Sequence, residues 1–143
     1  MDLRTPIMIT ETQLKKMPVK DYMNQDQLDF FKHKLMELRT EIENNIEEFR
    51  QELADLQVET DENDRATIEE QRSLKLRLIE RQSNVIPKIL YSLRQIESGE
   101  YGYCEESGEP IGIERLLVRP TATLAIESKT LRERKEKVYR DDR

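Results

Sequence analysis

Apolar residues recur every three or four positions along two long stretches of the chain. The first stretch follows Asn24, a residue type that caps helices, with Gln27 three residues on. Its steps alternate between three and four, apart from one stutter between Ile42 and Ile46, where Asn45 takes the regular position. This spacing predicts one arm of a coiled coil. The predicted seam consists of Leu28, Phe31, Leu35, Leu38, Ile42, Ile46, Phe49, Leu53 and Leu56.

The second stretch predicts another helical arm. Its start is open, because Thr67 would begin a capping box while Asp61 or Asp64 could cap a helix that begins earlier. Pro87 removes one backbone hydrogen bond within this arm and should bend the helix there. The predicted seam of the second arm consists of Ile68, Leu76, Ile79, Ile86, Leu90, Leu93 and Ile96.

Short polar side chains fill residues 58–67, between the two arms, and favour a turn. Two seams of matched length around a short polar connection predict an antiparallel helical hairpin. At about 1.5 Å per residue each arm would reach roughly 50 Å, so the connection would lie far from any globular part.

A frame typical of four-cysteine zinc modules follows the second arm. The positions with the spacing C-x2-C-x17-C-x2-C are Cys104, Ser107, Ala125 and Ser128. Only the first of them is a cysteine. One thiolate, two hydroxyls and a methyl cannot complete a tetrahedral zinc shell, so we expect no bound metal. Something else must then stabilise this module, and we expect a small apolar core closed by Tyr101, Tyr103, Ile111, Ile113, Leu117 and Leu124.

These elements predict a mainly α fold with four parts. An extended or partly ordered arm covers residues 1–23, and the coiled-coil hairpin covers residues 24–98, with its tip at residues 58–67. The degenerate, zinc-free module of the zinc-finger type, called the small module below, covers residues 99–128. A charged C-terminal helix covers residues 129–143.

Composition supports an elongated helical protein and narrows its function. Hydrophobic residues make up 36% of the sequence and charged residues 38%, with no Trp and only 4 Gly, which favours long exposed helices over a large globular core. The net charge of -6 argues against direct binding to nucleic acid. The chain lacks a membrane-spanning run and a signal-peptide pattern, so we expect a cytoplasmic protein. It also lacks a recognisable catalytic arrangement, which argues against an enzyme.

Two charged groups are candidate functional sites, each with a structural alternative. Asp61 and Asp64 could hold a divalent ion together with a partner's ligands, or they could cap the second arm and keep the turn soluble. A set of cations could gather into a polyphosphate site, because Arg and Lys both suit phosphate, or could be scattered over the surface. The set consists of Lys88, Arg115, Arg119 and Lys129, with Arg77 and Arg81.

Four short segments are distinctive in combination. They are YMN at residues 22–24, DENDRA at 61–66, GEYGYCEESGEPIGIERLLVRPTA at 99–122 and SKTL at 128–131. Together they resemble the DksA family, whose members are bacterial transcription factors that bind RNA polymerase rather than DNA. The resemblance covers about residues 20–135, and the chain looks like a paralogue that has lost the zinc ligands.

The resemblance implies roles for both charged groups. In the DksA family the hairpin enters the secondary channel of RNA polymerase, and its tip approaches the active-site elements. The matching tip residues are Asp61, Asp64 and Ala66. The family also helps to form a site for the alarmone ppGpp at the polymerase rim. The matching cations are Lys88, Arg119 and Lys129, with Arg81 and Arg115 as supporting contacts.

The function implied by the resemblance is regulation of transcription initiation, including ribosomal RNA promoters, together with ppGpp and independently of zinc. We expect a monomer without a tightly bound cofactor. Family members that lack the cysteines look like back-ups for zinc starvation or oxidative stress. Two alternatives are a transcript-cleavage or elongation factor like the Gre factors, whose hairpin tips are also acidic, and a plain coiled-coil adaptor.

Overall fold

The computed structural model describes residues 8–56 and 62–125, and for residues 62–64 the backbone alone. The described part is mainly helical, which confirms the predicted fold class. Its extended pairing is limited to an isolated antiparallel bridge between Tyr103 and Pro110. None of its helices is long and apolar enough to cross a membrane. The helices are α1 (Glu11–Lys16), α2 (Gln25–Asp55), α3 (Glu62–Ser83), α4 (Val85–Ser98) and α5 (Ile113–Val118), with a 3-10 turn at Val19–Asp21.

The chain forms two compact units. The first unit combines Met1–Leu35 with Ser92–Arg143, and the second consists of Met36–Tyr91. The second unit therefore contains most of the two helical arms, while the first contains the N-terminal segment and the small module. The four-part division expected from the sequence stays a prediction, and its C-terminal helix lies outside the described residues.

Helix α2 begins where the sequence predicts it. The Asn24 side chain accepts a hydrogen bond from the Gln27 amide at 3.0 Å, and the Gln27 side chain accepts one from the Met23 amide at 2.8 Å. These bonds satisfy amides that have no partner within the helix. The predicted seam is also confirmed, since its side chains are buried or half-buried along the whole helix. The most deeply buried are Phe31, Leu35, Ile42 and Ile46.

The second arm is interrupted, as Pro87 leads one to expect. Helix α3 ends at Ser83 and α4 begins at Val85, so the break lies at Asn84, three residues before the proline. The proline ring clashes with the carbonyl four residues earlier, which is that of Ser83. Of the two proposed starts for this arm, the earlier is correct, because α3 begins at Glu62.

The seam of the second arm differs from the prediction at two positions. Leu76 and Leu90 are 49% and 39% exposed, and their predicted burial is wrong. The side chains that are buried or half-buried instead follow steps of four and three, because the long stems of Arg and Lys can fill seam positions as well as leucine. These positions are Ile68, Arg72, Lys75, Ile79, Gln82, Ile86 and Ile89.

The predicted helical hairpin is confirmed within the second unit. Lys75 of α3 forms an ion pair with the Glu52 carboxylate of α2. The Lys75 Nζ also lies 5.4 Å from the ring centroid of Phe49 on α2. These contacts place α3 beside the last turns of α2.

The N-terminal segment is more ordered than the sequence suggests. Thr10 and Gln13 form a capping box, in which the Gln13 amide donates to the Thr10 hydroxyl at 3.2 Å and the Thr10 amide donates to the Gln13 side chain at 2.9 Å. Helix α1 follows and buries Leu14. It contacts α5, whose Leu116 is also buried. The extended form of the expected arm is therefore wrong for residues 11–16, whereas a partly ordered arm agrees with this short helix. A helix of six residues is too short to show a repeating apolar period in the sequence.

Candidate functional site

The four positions of the zinc-type frame lie in contrasting surroundings. Cys104 is buried, Ser107 is exposed and Ala125 is half-buried, while Ser128 lies outside the described residues. The Ser107 hydroxyl accepts a hydrogen bond from the Glu109 amide at 3.3 Å. The Cys104 carbonyl accepts from the Gly108 amide, and the Cys104 amide donates to the Glu109 carbonyl, both at 2.8 Å. Backbone hydrogen bonds therefore close this turn.

The residues of the frame do not fit a zinc ion. A structural zinc site needs four nitrogen or sulfur ligands, or carboxylates, around the metal. Here a single thiol is accompanied by hydroxyls and a methyl. In residues 8–56 and 65–125, no three side chains of His, Cys, Asp or Glu are grouped to hold a metal ion.

The hydroxyl of Tyr22 joins the N-terminal segment to the small module. It donates a hydrogen bond to the Gly102 carbonyl at 2.6 Å and accepts one from the Gly112 amide at 2.9 Å. The Tyr22 ring meets Tyr103 edge-on, with 5.6 Å between centroids. Burial raises the pKa of Tyr22, although the hydrogen bond from Gly112 opposes the rise. We call the contacts of this hydroxyl with Gly102 and Gly112 the Tyr22 staple.

Tyr101 makes a second internal link within the small module. Its hydroxyl donates to the Pro120 carbonyl at 2.7 Å, and its ring lies 5.7 Å from that of Phe31 on α2. Burial raises the pKa of Tyr101 far above its usual range. Two further hydrogen bonds hold the chain after α5. Arg115 Nε donates to the Leu124 carbonyl at 3.0 Å, and the Glu105 amide donates to the Thr123 carbonyl at 2.9 Å.

The expected apolar core of the small module is confirmed in part. Tyr101 and Ile111 are buried, as predicted. The other predicted members, Tyr103, Ile113, Leu117 and Leu124, are only half-buried. Leu116, which the prediction left out, is fully buried, whereas its predicted neighbour Leu117 is half-buried. Cys104, Pro120 and Ala122 are also buried.

The residues matched to the tip lie at the start of α3. Asp61 lies outside the described residues, Asp64 is the third residue of the helix, and Ala66 is exposed one turn along. The tip is thus helical from Glu62 onward, which agrees with the earlier of the two helix starts that the sequence left open. Acidic residues at this end favour the helix, since its first amides carry partial positive charge.

The cations matched to a ppGpp site are divided between the two units. Lys88 and Arg81 are exposed in the second unit. Arg119 is exposed at the end of α5 in the first unit, where Arg115 is half-buried. Lys129 lies outside the described residues. Their grouping into one site stays a prediction.

Sequence reasoning missed two structural features near these sites. The Tyr22 staple joins residues 80 and 90 positions apart, which no local pattern could reveal. The seam positions of Arg72 and Lys75 did have a signal, because they continue the spacing between Ile68 and Ile79. The preference for leucine at position 76 concealed it.

Comparison with known families covers both the arms and the small module. The family model for the DnaK suppressor protein DksA, N-terminal domain, matches residues 27–96. The family model for the prokaryotic dksA/traR C4-type zinc finger matches residues 99–134. The chain belongs to the DksA family.

Relatives of this DksA-family chain are similar to it over most of their length. The RNA polymerase-binding transcription factor DksA of Caulobacter vibrioides (strain NA1000 / CB15N) is 42% identical over 140 residues, which cover 95% of this chain and 96% of that protein. The protein of the same name from Escherichia coli (strain K12) is 41% identical over 124 residues, or 84% of this chain and 80% of that protein. The solved structure of transcription factor DksA2 from Pseudomonas aeruginosa is similar with a TM-score of 0.82 and 45% identity, and covers 90% of this chain and 99% of that chain.

This chain differs from the matching family model at the zinc-ligand positions of the frame. The matching family model describes a C4-type zinc finger, whereas this DksA-family chain contains one cysteine. The side-chain links from Tyr22, Tyr101 and Arg115 cross the same module that a zinc ion would hold together.

Proposed function

We propose that this protein binds RNA polymerase through the secondary channel and regulates transcription initiation, including at ribosomal RNA promoters. The observation that carries the proposal is the match to the DksA family across both the hairpin and the small module. Such a regulator needs no chemistry of its own. It acts by binding one state of the polymerase more tightly than another, which shifts the population of promoter complexes.

In this proposal the hairpin presents Asp61, Asp64 and Ala66 to the active-site elements of the polymerase. The exposed position of Ala66 in the first turns of α3 supports this role. An acidic side chain at the same end would act on the cations and the metal environment of the channel. No direct contact with DNA is needed, in keeping with the net charge of -6.

The proposal includes ppGpp as a co-regulator at the interface with the polymerase. Lys88, Arg119 and Lys129 would contact its phosphates, and Arg81 would support them. The exposure of Lys88, Arg119 and Arg81 is compatible with that role. Arg115 would act indirectly, because its Nε is bonded to the Leu124 carbonyl. A ligand shared between two proteins strengthens their association and is itself bound more tightly by the complex.

We also propose that the protein works without zinc, as a monomer in the cytoplasm. The donor set of the frame and the hydrogen bonds of Tyr22 and Tyr101 support zinc independence. A physiological role under zinc starvation or oxidative stress would follow, since a protein that needs no thiolate-bound metal stays folded under both conditions.

The test is transcription in vitro from a ribosomal RNA promoter, with and without ppGpp and with a zinc chelator present throughout. We expect inhibition by the wild-type protein that ppGpp increases and the chelator leaves unchanged. Asp64→Asn should abolish inhibition while polymerase binding is retained. Asp26→Asn is the matched control, because Asp26 is an exposed acid in the first turn of α2.

Three results would contradict the proposal. Inhibition that requires added zinc would exclude zinc independence, and full inhibition by Asp64→Asn would exclude the role of the tip. Shortening of the transcript in a backtracked complex would identify a cleavage factor instead.

A further inference from the structure

The two arms of the hairpin are weakly packed near the tip. From Phe49 to Asp55 on α2, and from Arg65 to Lys88 on α3 and α4, no described side chain is fully buried. Leu74 and Leu76 are each about half exposed in this region. Apolar burial therefore gives little preference for one alignment of the arms over another, since a slip along the seam would bury similar surface.

Lys75 occupies a seam position in this weakly packed region. Its ammonium group pairs with Glu52 across the two arms and lies over the face of Phe49. The side chains of Lys75 and Glu52 are 26% and 40% exposed, so the pair is only partly screened by water. A charged residue that has its partner across the seam is a known means of fixing the alignment of two helices, because a slip leaves the charge without its partner.

The pair also defines how far α3 extends beyond α2. With Lys75 level with Glu52, the last residue of α2, Asp55, is level with position 72 of α3. Residues 62–71 of α3 then lie past the end of α2, over about 15 Å. This overhang carries Asp64 and Ala66. A slip of one helical turn between the arms would move it by about 5 Å, which exceeds the tolerance of most binding contacts.

We propose that Lys75 is a positioning residue, whose pairing with Glu52 fixes the register of the two arms and thereby the reach of the tip. The consequence at the polymerase rests on the proposed function, whereas the consequence for register does not. The experiment therefore has two measurements, one for each consequence.

The first measurement determines the register of the two helices directly. Nitroxide labels at Arg50→Cys and Arg77→Cys lie two residues from Glu52 and Lys75, on opposite arms and at the same level, and both native side chains are exposed. The native cysteine is buried, which favours labelling of the introduced ones. Pulsed electron resonance should give one distance for the parent protein. Lys75→Met, which keeps the long stem, should add a second distance that differs by about 5 Å or more.

The second measurement compares inhibition of transcription with polymerase binding. We expect Lys75→Met to raise the concentration for half-maximal inhibition about three- to ten-fold, with binding changed less than inhibition. The melting temperature should not fall, because methionine suits a seam. The exchanged pair Glu52→Lys with Lys75→Glu should restore one distance and the original inhibition. Arg39→Met is the control, since it removes an ion pair of 3.0 Å that lies within α2 alone.

The two measurements show which part of the proposal is wrong if the results differ from those expected. A single unchanged distance in Lys75→Met would overturn the role in register. A second distance without any change in inhibition would overturn the link between register and reach. If the wild-type protein itself neither binds nor inhibits the polymerase, the proposed function fails, while the distance measurement still decides the register.

Discussion

Replacing Tyr22 with phenylalanine removes a hydroxyl that makes two hydrogen bonds across the small module. Its carbonyl partner, Gly102, keeps a second hydrogen bond, from the Ile111 amide at 2.8 Å. Its amide partner, Gly112, loses the bond of 2.9 Å and is half-buried, so water can replace the hydroxyl only in part. Two net hydrogen bonds of about 1 kcal/mol each give an expected loss of about 2 kcal/mol.

Amide hydrogen exchange followed by NMR measures this loss where it occurs. The amides of Ile111 and Cys104 are bonded inside the small module, each at 2.8 Å, and report its opening. A loss of about 2 kcal/mol should lower their protection about thirty-fold. Amides of α2 beyond Leu35 belong to the second unit and should keep their protection.

Tyr103→Phe is the control for this experiment. Tyr103 packs against the Tyr22 ring, and its hydroxyl makes no hydrogen bond to another described side chain or backbone group. The control should change protection less than three-fold, or about 0.6 kcal/mol. If Tyr22→Phe also stays within that range, the Tyr22 staple does not stabilise the module. Equal losses in both units would show global destabilisation instead.

Three further predictions concern the first unit. Folding raises the pKa of Tyr22 and Tyr101 above 10.0. Their contribution to the free energy of unfolding is therefore full below pH 10 and is lost as the pH rises through the pKa values of the folded protein. Urea unfolding from pH 8 to 11 should show the start of this loss, and the loss should be less steep in Tyr22→Phe. Ser92→Ala should raise the free energy of unfolding by about 0.5 to 1 kcal/mol, because the buried hydroxyl has no hydrogen-bond partner in the described part of the chain, and a loss above 1 kcal/mol in urea unfolding would refute this. Gly102→Ala should cost about 2 kcal/mol or more, since Gly102 has a φ of 91° and a Cβ there would lie 2.7 Å from the Met23 side chain. Gly108→Ala, with a φ of 76° and no atom within 4 Å of its Cβ, has the backbone strain alone, and equal thermal melts for the two variants would exclude the clash with Met23.

The helical arms illustrate how far local patterns reach. The cap at Asn24, the seam of α2 and the interruption near Pro87 all follow from residues within a few positions of each other, and all are present. The exact seam of the second arm does not follow, because Leu76 and Lys75 are neighbours on adjacent faces. Which of them turns inward depends on Glu52 and Phe49, which come from the other arm.

In the small module, by contrast, most of the stabilising contacts could not be predicted from local patterns. Its sequence shows that three of the four zinc ligands are missing, but not which contacts stabilise it. The hydroxyl of Tyr22 reaches Gly102 and Gly112 over 80 and 90 residues, and α1 reaches α5 over a similar separation. Such contacts form only when the N-terminal segment folds against the module.

The sequence by itself determined the helical hairpin, the absence of a zinc ligand set and the resemblance to the DksA family. Each depends on residue types at fixed spacings, and the energy of a helix or a metal site is set by those local choices. Only the tertiary structure decided that Lys75 and Ile89 face the seam and that Tyr22 links the N-terminal segment to the small module. These outcomes depend on packing between distant segments, where burial and hydrogen bonding compete among several residues of similar local preference.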